Sequence, residues 1–575
     1  MIEAKVMSRI QQIGLVAICV FNLLYMHYYI IMTSNIEQSL DCTSPIDNLT
    51  GVLIDTTIIF LAACLITNGR FKASTAITFT LTCIWAFCNI FYSRFFNSYL
   101  PLSAISQGTS LTDPLVINSM FSGFKWDDLY FIIITIIFVK IYKKTPSISI
   151  KMPILVMCSS LILMIICDLI AHASYCWSIP EFRYFSYYHY RINSRHFAEH
   201  NKLCNPIFTT FHRGCARILS YDILEELQNE KELSKDDEKN IVNYIKESQE
   251  SLIQFEDTTN IHKNIIFIIV ESYMSFTSDM KVQGKEITPF LNSLRHDSTI
   301  YYNGHLAPNI TIGESSDGQY IYMTGLLPLK SHITVSKAQS KVLPGLAFLL
   351  QSEGYKSQMI IPTAPTMWNQ STMCKQYGIA QLFSANDYNN NSKQELNDQE
   401  VFELASKIDH LNKDEKFFSV VLTISMHQPY LQPIDTQFVL EDNEMPTQLR
   451  NYLIACHYTD KCISEYIARL KSEHLYDNSI IIITADHHVH GTDFGIENNE
   501  ELPLYIINSG IDNQNAWQGA CNQIDVYTTL INLLNIKSDW CGLGHSLLRP
   551  NYKKSLNNTK WEISEIILKS NYFKK

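Results

Sequence analysis

The chain lacks runs of basic residues, internal repeats and any regular spacing of cysteines. Its 575 residues carry a formal net charge of -11 at pH 7, which argues against nucleic acid as a partner. The 15 cysteines are scattered along the chain and do not form the pattern of a disulfide framework. If the C-terminal region is exported, Cys204 with Cys215, or Cys521 with Cys541, could pair, and the sequence leaves this open.

The first apolar segment also lacks a convincing small-residue cleavage site, which favours a retained membrane anchor over a signal peptide. A membrane-spanning helix needs roughly 17–25 apolar residues. Five segments meet this requirement and predict a five-helix transmembrane region: 11–33, 52–69, 75–95, 127–143 and 152–173. We interpret Asp55 and Asp168, near the ends of spans, as interfacial carboxylates that face water or protein rather than as a proton relay.

The distribution of Lys and Arg predicts the orientation in the membrane. Basic residues precede the first span and occupy the connections between spans two and three and between spans four and five. The opposite connections are poor in them, because 34–51 has none and 96–126 has only Lys125. The positive-inside rule then places the N-terminus in the cytoplasm. After five crossings, a multi-pass protein of the cell membrane would carry its C-terminal domain outside or in the periplasm.

The composition divides the chain into four predicted regions. Residues 1–173 form the anchor, 174–262 a helical connecting region, 263–550 an extracytoplasmic catalytic domain and 551–575 a C-terminal tail. We expect the charged stretch 222–254 to be a solvated helical arm that leads back to the membrane surface. In the catalytic domain strands alternate with helices, as in a doubly wound α/β domain with a mostly parallel sheet.

Two buried strands of this domain end in side chains that bind metals. Residues 264–270 are followed by Glu271, and 479–484 are followed, after Ala485, by Asp486 and His487. Continuous β-branched runs suit strands buried on both faces of a parallel sheet. Ligands bind at the carboxyl ends of such strands. These three side chains can therefore meet as a divalent-metal site, to which Ser315 could bring a hydroxyl.

Several residues in and near these motifs could have a structural role instead of a functional one. Ser315 could be a turn serine with Ser316 as the nucleophile, and Glu314 is expected to be solvated. The buried strand 417–424 leads to His427, a candidate ligand-binding group or a strand-end histidine. Strands are also predicted at 356–361 and 504–507. We interpret His488 and His490 as loop residues.

Several motifs, in this order, resemble the lipoteichoic acid synthase (phosphoglycerol transferase) family of the alkaline phosphatase/sulfatase superfamily. They are Glu271-Ser272, Thr288-Pro289-Phe290-Leu291-Asn292, Gly313-Glu314-Ser315-Ser316-Asp317, Thr324-Gly325-Leu326-Leu327-Pro328, Trp368-Asn369, His427 and Asp486-His487. The resemblance extends to the architecture of spans, connecting region and exported domain. Each motif alone is weak, whereas their order and spacing together are specific.

The resemblance implies roles for individual residues. One divalent metal would be bound by Glu271, Asp486, His487 and Ser315, with Ser315 as the nucleophile where close relatives have threonine. The substrate-binding residues implied by the resemblance are His427, Trp368 and Gln370. The family has arginine at the position of Gln370, so a bidentate phosphate contact is missing here.

The implied activity is transfer of a phospho-head group from a phospholipid to a hydroxyl of a glycan, lipid or polymer acceptor, through a covalent Ser315 intermediate. Mn²⁺ is slightly favoured over Zn²⁺, and Mg²⁺ is a further alternative. A phosphoethanolamine transferase and a phosphodiesterase remain open, and so does a scaffold without activity. A sulfatase is excluded, because Ser315 is followed by neither the proline nor the arginine of the sulfatase nucleophile motif. The head group, the acceptor and the oligomeric state are left undetermined.

Overall fold

The computed structural model describes two compact units of the chain. The described residues are 2–33, 45–96, 99–100, 123–149, parts of 210–219, 233–253 and 262–574, the last with gaps at 331, 389–394, 429, 431–437, 442–443, 490–493, 495–499, 512, 514 and 554–555. Described residues up to 228 belong to the first unit and those from 229 onward to the second. The bounds of the four regions expected from the sequence stay predictions.

The first unit is a bundle of apolar helices. They are α1 (Ile2–Thr33), α2 (Pro45–Ile66), α3 (Phe71–Phe96) and α4 (Leu129–Lys144). Helix α1 contacts the other three. Leu23, Met26 and Ile30 of α1 pack with Ala86 and Ile90 of α3 in one of its cores.

The described residues contain three candidate membrane spans, not the five expected. They are Val6–Thr33, Asn48–Ile66 and Phe71–Phe95. The expected fourth span forms helix α4, but its 16 residues cover only about 24 Å, less than the roughly 30 Å hydrocarbon core of a bilayer. The expected fifth span, 152–173, lies outside the described residues. The apolar helices indicate membrane anchoring, while the orientation stays a prediction.

The second unit is an α/β domain built on an eight-stranded sheet. Its strands, with the separate β2–β3 pair, are β1 (Asn264–Val270), β2 (Lys281–Val282), β3 (Lys285–Glu286), β4 (Tyr301–Ala307), β5 (Lys356–Ile360), β6 (Gln381–Phe383), β7 (Phe417–Leu422), β8 (Ser479–Ala485), β9 (Leu502–Ile507) and β10 (Cys521–Asn522). Its helices are α5 (Lys235–Glu250), α6 (Pro289–Arg295), α7 (Ser315–Thr324), α8 (Thr334–Ala338), α9 (Leu346–Ser352), α10 (Gln370–Tyr377), α11 (Asp398–Leu411), α12 (Thr447–Ser472), α13 (Asp525–Leu533) and α14 (Asn558–Ser570).

The expectation of a mostly parallel sheet is confirmed. The strand order is β10-β4-β9-β8-β1-β7-β5-β6, and β9 runs antiparallel to both of its neighbours, while the other pairings are parallel. Strands β1, β7 and β8 are buried along their whole length. The apolar runs that predicted them are therefore the centre of the sheet, and this centre positions the site described below.

Helix α5 packs against later residues of the second unit, which corrects its interpretation as a solvated arm. Ser248 donates to the carbonyl oxygen of Gly544, and Glu247 Oε1 lies 3.0 Å from His545 Nε2. The stretch expected as a C-terminal tail contains α14, whose Lys560 is fully buried and donates to the Leu543 carbonyl oxygen over 2.8 Å. One apolar face of each helix is covered, because α5 and α14 contact each other.

The pairing of Cys521 with Cys541, which the sequence leaves open, is not formed in the structure. Both are buried free thiols in the structure. Cys215 is also a free thiol, and its suggested partner Cys204 lies outside the described residues.

Candidate metal and nucleophile site

The central pair of strands brings two distant carboxylates together. Strands β1 and β8 are parallel neighbours, and their last residues, Val270 and Ala485, are partners in the register. The next residues, Glu271 and Asp486, therefore emerge side by side at the carboxyl edge of the sheet, where ligands bind in this class of fold. His487 follows directly.

Glu271, Asp486 and His487 form a compact buried cluster. One ligand atom of each lies within 4.8 Å of the others. The Nε2 atom of His487 is 3.5 Å from Glu271 Oε1 and 3.5 Å from Asp486 Oδ2. All three side chains are almost fully buried, and within the described part of the chain no lysine or arginine forms an ion pair with either carboxylate. Buried carboxylates need a compensating charge.

The electrostatics of the cluster favour a cation. Burial raises the pKa of Glu271, and burial together with the charge of Glu271 raises the pKa of Asp486 to about 6. Burial lowers the pKa of His487, but Asp486, Glu271 and Glu314 outweigh it and raise this pKa to about 9. Two carboxylates and an imidazole are donors that a divalent metal accepts. The residues present therefore fit the metal that the sequence implies.

Neighbouring groups hold the three side chains in place. The Nδ1 atom of His487 bonds to the His488 carbonyl oxygen over 2.7 Å, so this nitrogen donates and Nε2 remains as the ligand atom. Ser272 donates its hydroxyl to Glu271 Oε1 over 2.7 Å and its N–H to Asp486 Oδ1 over 2.9 Å. Thr423, just beyond β7, accepts the N–H of Glu271 over 3.0 Å. The sequence interpretation assigned no role to Ser272 or Thr423, although each follows a strand at this edge.

Ser315 completes the cluster, and Ser316 does not. Ser315 begins α7, and its Oγ lies 3.0 Å from His487 Nε2 and 3.4 Å from Glu271 Oε2. The Ser316 hydroxyl is buried and donates to the Gly313 carbonyl oxygen over 2.6 Å. The geometry thus favours Ser315 of the two serines, although its role as nucleophile stays a prediction.

Glu314 is buried, so the expectation of a solvated side chain is wrong. It is only 8% exposed, and its Oε2 lies 4.0 Å from His487 Nδ1. Burial raises the pKa of Glu314 to about 8. The backbone of Glu314 has a positive φ of 47° at the start of α7, a costly conformation for a residue with a side chain. The physical reason for the burial is that α7 begins against the residues that follow β8.

Asp317 organises the loop before Ser315. Its Oδ2 accepts the N–H groups of Thr311 and Gly313 over 2.9 and 3.0 Å and the Thr311 hydroxyl over 2.7 Å. Asp317 is fully buried, and this burial raises its pKa to about 6. The Ser-Ser-Asp sequence therefore contains an orienting carboxylate beside the candidate nucleophile.

A close backbone contact fixes α7 against the end of β8. A Cβ atom at Gly318 would lie 2.2 Å from the carbonyl oxygen of Asp486. We expect Gly318→Ala to push α7 away from Asp486 and to lower the free energy of unfolding by about 1–3 kcal/mol, as overpacking does. Denaturant unfolding measures this change, with Ser293→Ala, an exposed site on α6, as the control. Equal stability of the two variants would contradict the close contact.

The three predicted substrate-binding residues differ in their relation to the cluster. His427 follows β7. Burial lowers its pKa, the charge of His487 lowers it further, and the charges of Asp486 and Glu314 oppose this by raising it. Its Nδ1 bonds to the Gln428 carbonyl oxygen over 2.6 Å. The structure therefore brings His427 into the electrostatic surroundings of the cluster.

Trp368 and Gln370 lie at the start of α10. Gln370 is buried and donates Nε2 to Gln319 Oε1 over 2.7 Å, and Gln319 lies one turn after Ser315 on α7. The Oε1 atom of Gln370 is buried without a hydrogen-bond partner among the described residues. Trp368 is half-buried with a φ of 48°. No hydrogen bond or ring contact joins it to Ser315 in the described part of the chain.

Comparison with known families gives two matches along the chain. Residues 263–536 match the sulfatase family model, and residues 2–175 match the model of the lipoteichoic acid synthase N-terminal domain. The first match includes every residue of the buried cluster, and the second includes the apolar bundle.

Individual proteins are also similar to this chain. Lipoteichoic acid synthase 2 of Bacillus subtilis is 26% identical over 81% of this chain and 73% of its own length. Lipoteichoic acid synthase of Staphylococcus aureus is 27% identical over 70% of this chain, and the alignment spans 61% of that relative's length. The crystal structure of the lipoteichoic acid synthase LtaP from Listeria monocytogenes has a TM-score of 0.47 and 20% identity, covering 54% of this chain and 81% of that one.

Proposed function

Because the chain is a lipoteichoic acid synthase-like protein of the alkaline phosphatase/sulfatase superfamily, we propose that it transfers a phospho-head group from a phospholipid to an acceptor hydroxyl outside the cytoplasm. The observation that carries this proposal is the Ser315 hydroxyl 3.0 Å from His487 Nε2 in a buried carboxylate site. The apolar helices α1 to α3 would keep that site near its lipid donor.

Glu271, Asp486, His487 and Ser315 would hold one divalent metal ion, with Mn²⁺ favoured over Zn²⁺ and Mg²⁺ as a further alternative. When bound, such an ion lowers the pKa of a hydroxyl and neutralises charge on a phosphodiester. The contacts of Ser272, Thr423 and the His488 carbonyl would orient the ligands for it.

Ser315 Oγ would attack the phosphorus atom of the donor. The Oγ–P bond forms as the Ser315 hydroxyl gives up its proton, the P–O bond to diacylglycerol breaks, and the leaving oxygen takes up one proton. His427 is the candidate for carrying this proton, because its Nδ1 donates to the Gln428 carbonyl, which leaves Nε2 able to accept the Ser315 proton and pass it to the leaving oxygen. An acceptor hydroxyl then attacks the same phosphorus and gives up its proton, the Oγ–P bond breaks, and Ser315 regains a proton.

The function is tested by measuring the diacylglycerol that the full chain releases from phospholipid in detergent micelles. With phosphatidylglycerol, Mn²⁺ and an acceptor glycolipid, we expect diacylglycerol to form together with a head-group-modified acceptor. Steady release without acceptor would instead identify a phosphodiesterase. If neither diacylglycerol release nor bound metal were found, the hypothesis of a scaffold without activity would remain.

Phosphoethanolamine is the second candidate head group, and Gln370 is the observation that favours it. A glutamine cannot provide the charged bidentate phosphate contact of arginine, and the buried Glu314 adds a carboxylate beside His487. A head group with its own ammonium charge suits such a site better than glycerol phosphate. Glu314, whose pKa burial raises to about 8, would then ionise as the ammonium group binds beside it.

Gln370→Arg should shift the donor preference towards phosphatidylglycerol. We expect the ratio of kcat/KM for phosphatidylglycerol over phosphatidylethanolamine to rise about tenfold, which corresponds to about 1.4 kcal/mol of charge-assisted binding. The matched control is Gln376→Arg, which adds the same charge at a half-buried position of α10. Thermal unfolding checks that both variants fold. An unchanged ratio in folded Gln370→Arg would show that this position does not contribute to selection between the two head groups.

A further inference from the structure

A second cluster of metal-binding side chains lies in the first unit, apart from the candidate active site. It consists of His27 from α1, Asp55 from α2 and Cys215 from the segment that follows the bundle, with one ligand atom of each within 4.8 Å of the others. All three are buried, with exposures of 0%, 3% and 6%. The interpretation of Asp55 as an interfacial carboxylate that faces protein explains its burial but not this choice of partners.

Two backbone donors fix the Asp55 carboxylate. Its Oδ2 accepts the N–H of Cys215 over 2.6 Å, and its Oδ1 accepts the N–H of Ala216 over 2.9 Å. A Cβ atom at Gly214, which has a φ of +82°, would lie 2.8 Å from Asp55 Oδ1. The glycine therefore permits the close approach that brings the Cys215 side chain to Asp55.

The imidazole of His27 is oriented as well. The hydroxyl of Tyr99 forms a hydrogen bond with His27 Nδ1, and the ring of Phe211 lies edge-on to it with centroids 6.1 Å apart. Hydrogen bonds from neighbouring groups that fix ligand orientation are usual around protein metal sites. Because this bond occupies Nδ1, Nε2 is the ring nitrogen left for a metal.

The donor set selects a class of metal. A nitrogen, a carboxylate oxygen and a sulfur are ligands of Zn²⁺, whereas Mg²⁺ and Ca²⁺ prefer oxygen alone. Ionisable side chains inside a helical bundle are costly and usually mark a functional site. The two hydrogen bonds to Asp55 give a structural reason for the carboxylate. These hydrogen bonds do not explain why an imidazole and a thiol lie beside the same carboxylate.

We propose that His27, Asp55 and Cys215 bind a zinc ion that fastens the segment at 214–216 to helices α1 and α2. Binding would replace the thiol proton of Cys215, which is released to solvent, with a sulfur–zinc bond. Ligand atoms around a tetrahedral zinc ion lie roughly 3.3–3.8 Å apart, so small side-chain rotations would complete the site. A water molecule would supply the fourth ligand.

Metal content of the purified full chain in detergent tests this proposal. After loading with Zn²⁺ and removal of the excess, we expect His487→Ala, which disrupts the candidate active site, to retain one zinc ion per chain. The double variant His487→Ala with Cys215→Ser should retain none. The control double variant with Cys64→Ser, another buried free thiol of the first unit, should retain one ion. Absence of zinc from His487→Ala would overturn the proposal.

Cobalt substitution gives a second readout that does not need a folded Cys215 variant. Co²⁺ bound through a thiolate absorbs in the near ultraviolet, and the candidate active site contains no sulfur ligand. We expect this band in the Co²⁺-loaded wild type and in His487→Ala, and its loss in His27→Gln. A Co²⁺-loaded wild type without the band would overturn the assignment, whatever the stability of the variants.

Discussion

Ser315→Ala is expected to lose head-group transfer by a factor of about a thousand or more, because no other oxygen nucleophile replaces the covalent step. The measurement is the rate of diacylglycerol release from phospholipid by the full chain. The Ser315 hydroxyl contacts both His487 and Glu271, so its removal deletes the reacting atom and leaves the sheet and its carboxylates in place. We therefore expect unchanged thermal unfolding.

Two other serine variants serve as controls for this result. Ser315→Thr keeps a hydroxyl and should retain transfer. Ser316→Ala removes the neighbouring hydroxyl, which donates to the Gly313 carbonyl oxygen, and should cost far less activity than Ser315→Ala. If Ser316→Ala were the inactive variant and Ser315→Ala the active one, the assignment of the nucleophile would be wrong.

Asp486→Asn should remove the divalent metal from the candidate active site and abolish transfer. An asparagine keeps the size of the side chain but loses the charge that faces His487 Nε2 at 3.5 Å. We expect the Mn²⁺ content to fall towards zero. We expect the loss of activity to exceed the roughly 10–100-fold cost of removing an outer contact of a metal site. Elemental analysis and the transfer assay give the two values.

The matched control lies at the other end of the same strand. Asp477→Asn removes an exposed carboxylate just before β8 and should change neither metal content nor transfer rate. Full Mn²⁺ content in Asp486→Asn would show that the cluster does not bind the ion through this carboxylate. The metal site would then have to lie elsewhere.

The centre of the catalytic unit could be predicted from the sequence because its strands are fully buried. Continuous apolar runs predicted β1, β7 and β8, and their parallel packing brings Glu271 next to Asp486 at one edge. Strand β4 was not predicted, since Asn303, Gly304 and His305 interrupt its apolar pattern and its pairing with β9 contains an irregularity. The reversal of β9 was not predicted either, because a buried antiparallel strand has the same composition as a parallel one.

Side chains whose burial depends on distant partners could not be predicted. Glu314 is in a polar sequence, and its burial follows from its position beside His487. Helix α5 has the composition of a solvated helix, but Glu247 pairs with His545. The cluster of His27, Asp55 and Cys215 likewise depends on how α1, α2 and a later segment meet. Such contacts follow from the fold and not from local pattern.

The intact mass of the full chain after incubation with Mn²⁺ and phosphatidylglycerol or phosphatidylethanolamine tests the central claim most directly. The account predicts a mass increase equal to one phospho-head group, located on Ser315 by peptide mapping and absent from Ser315→Ala. The size of the increase would also identify the donor. An unmodified Ser315 together with diacylglycerol release, or an adduct on another residue, would contradict the covalent mechanism proposed here.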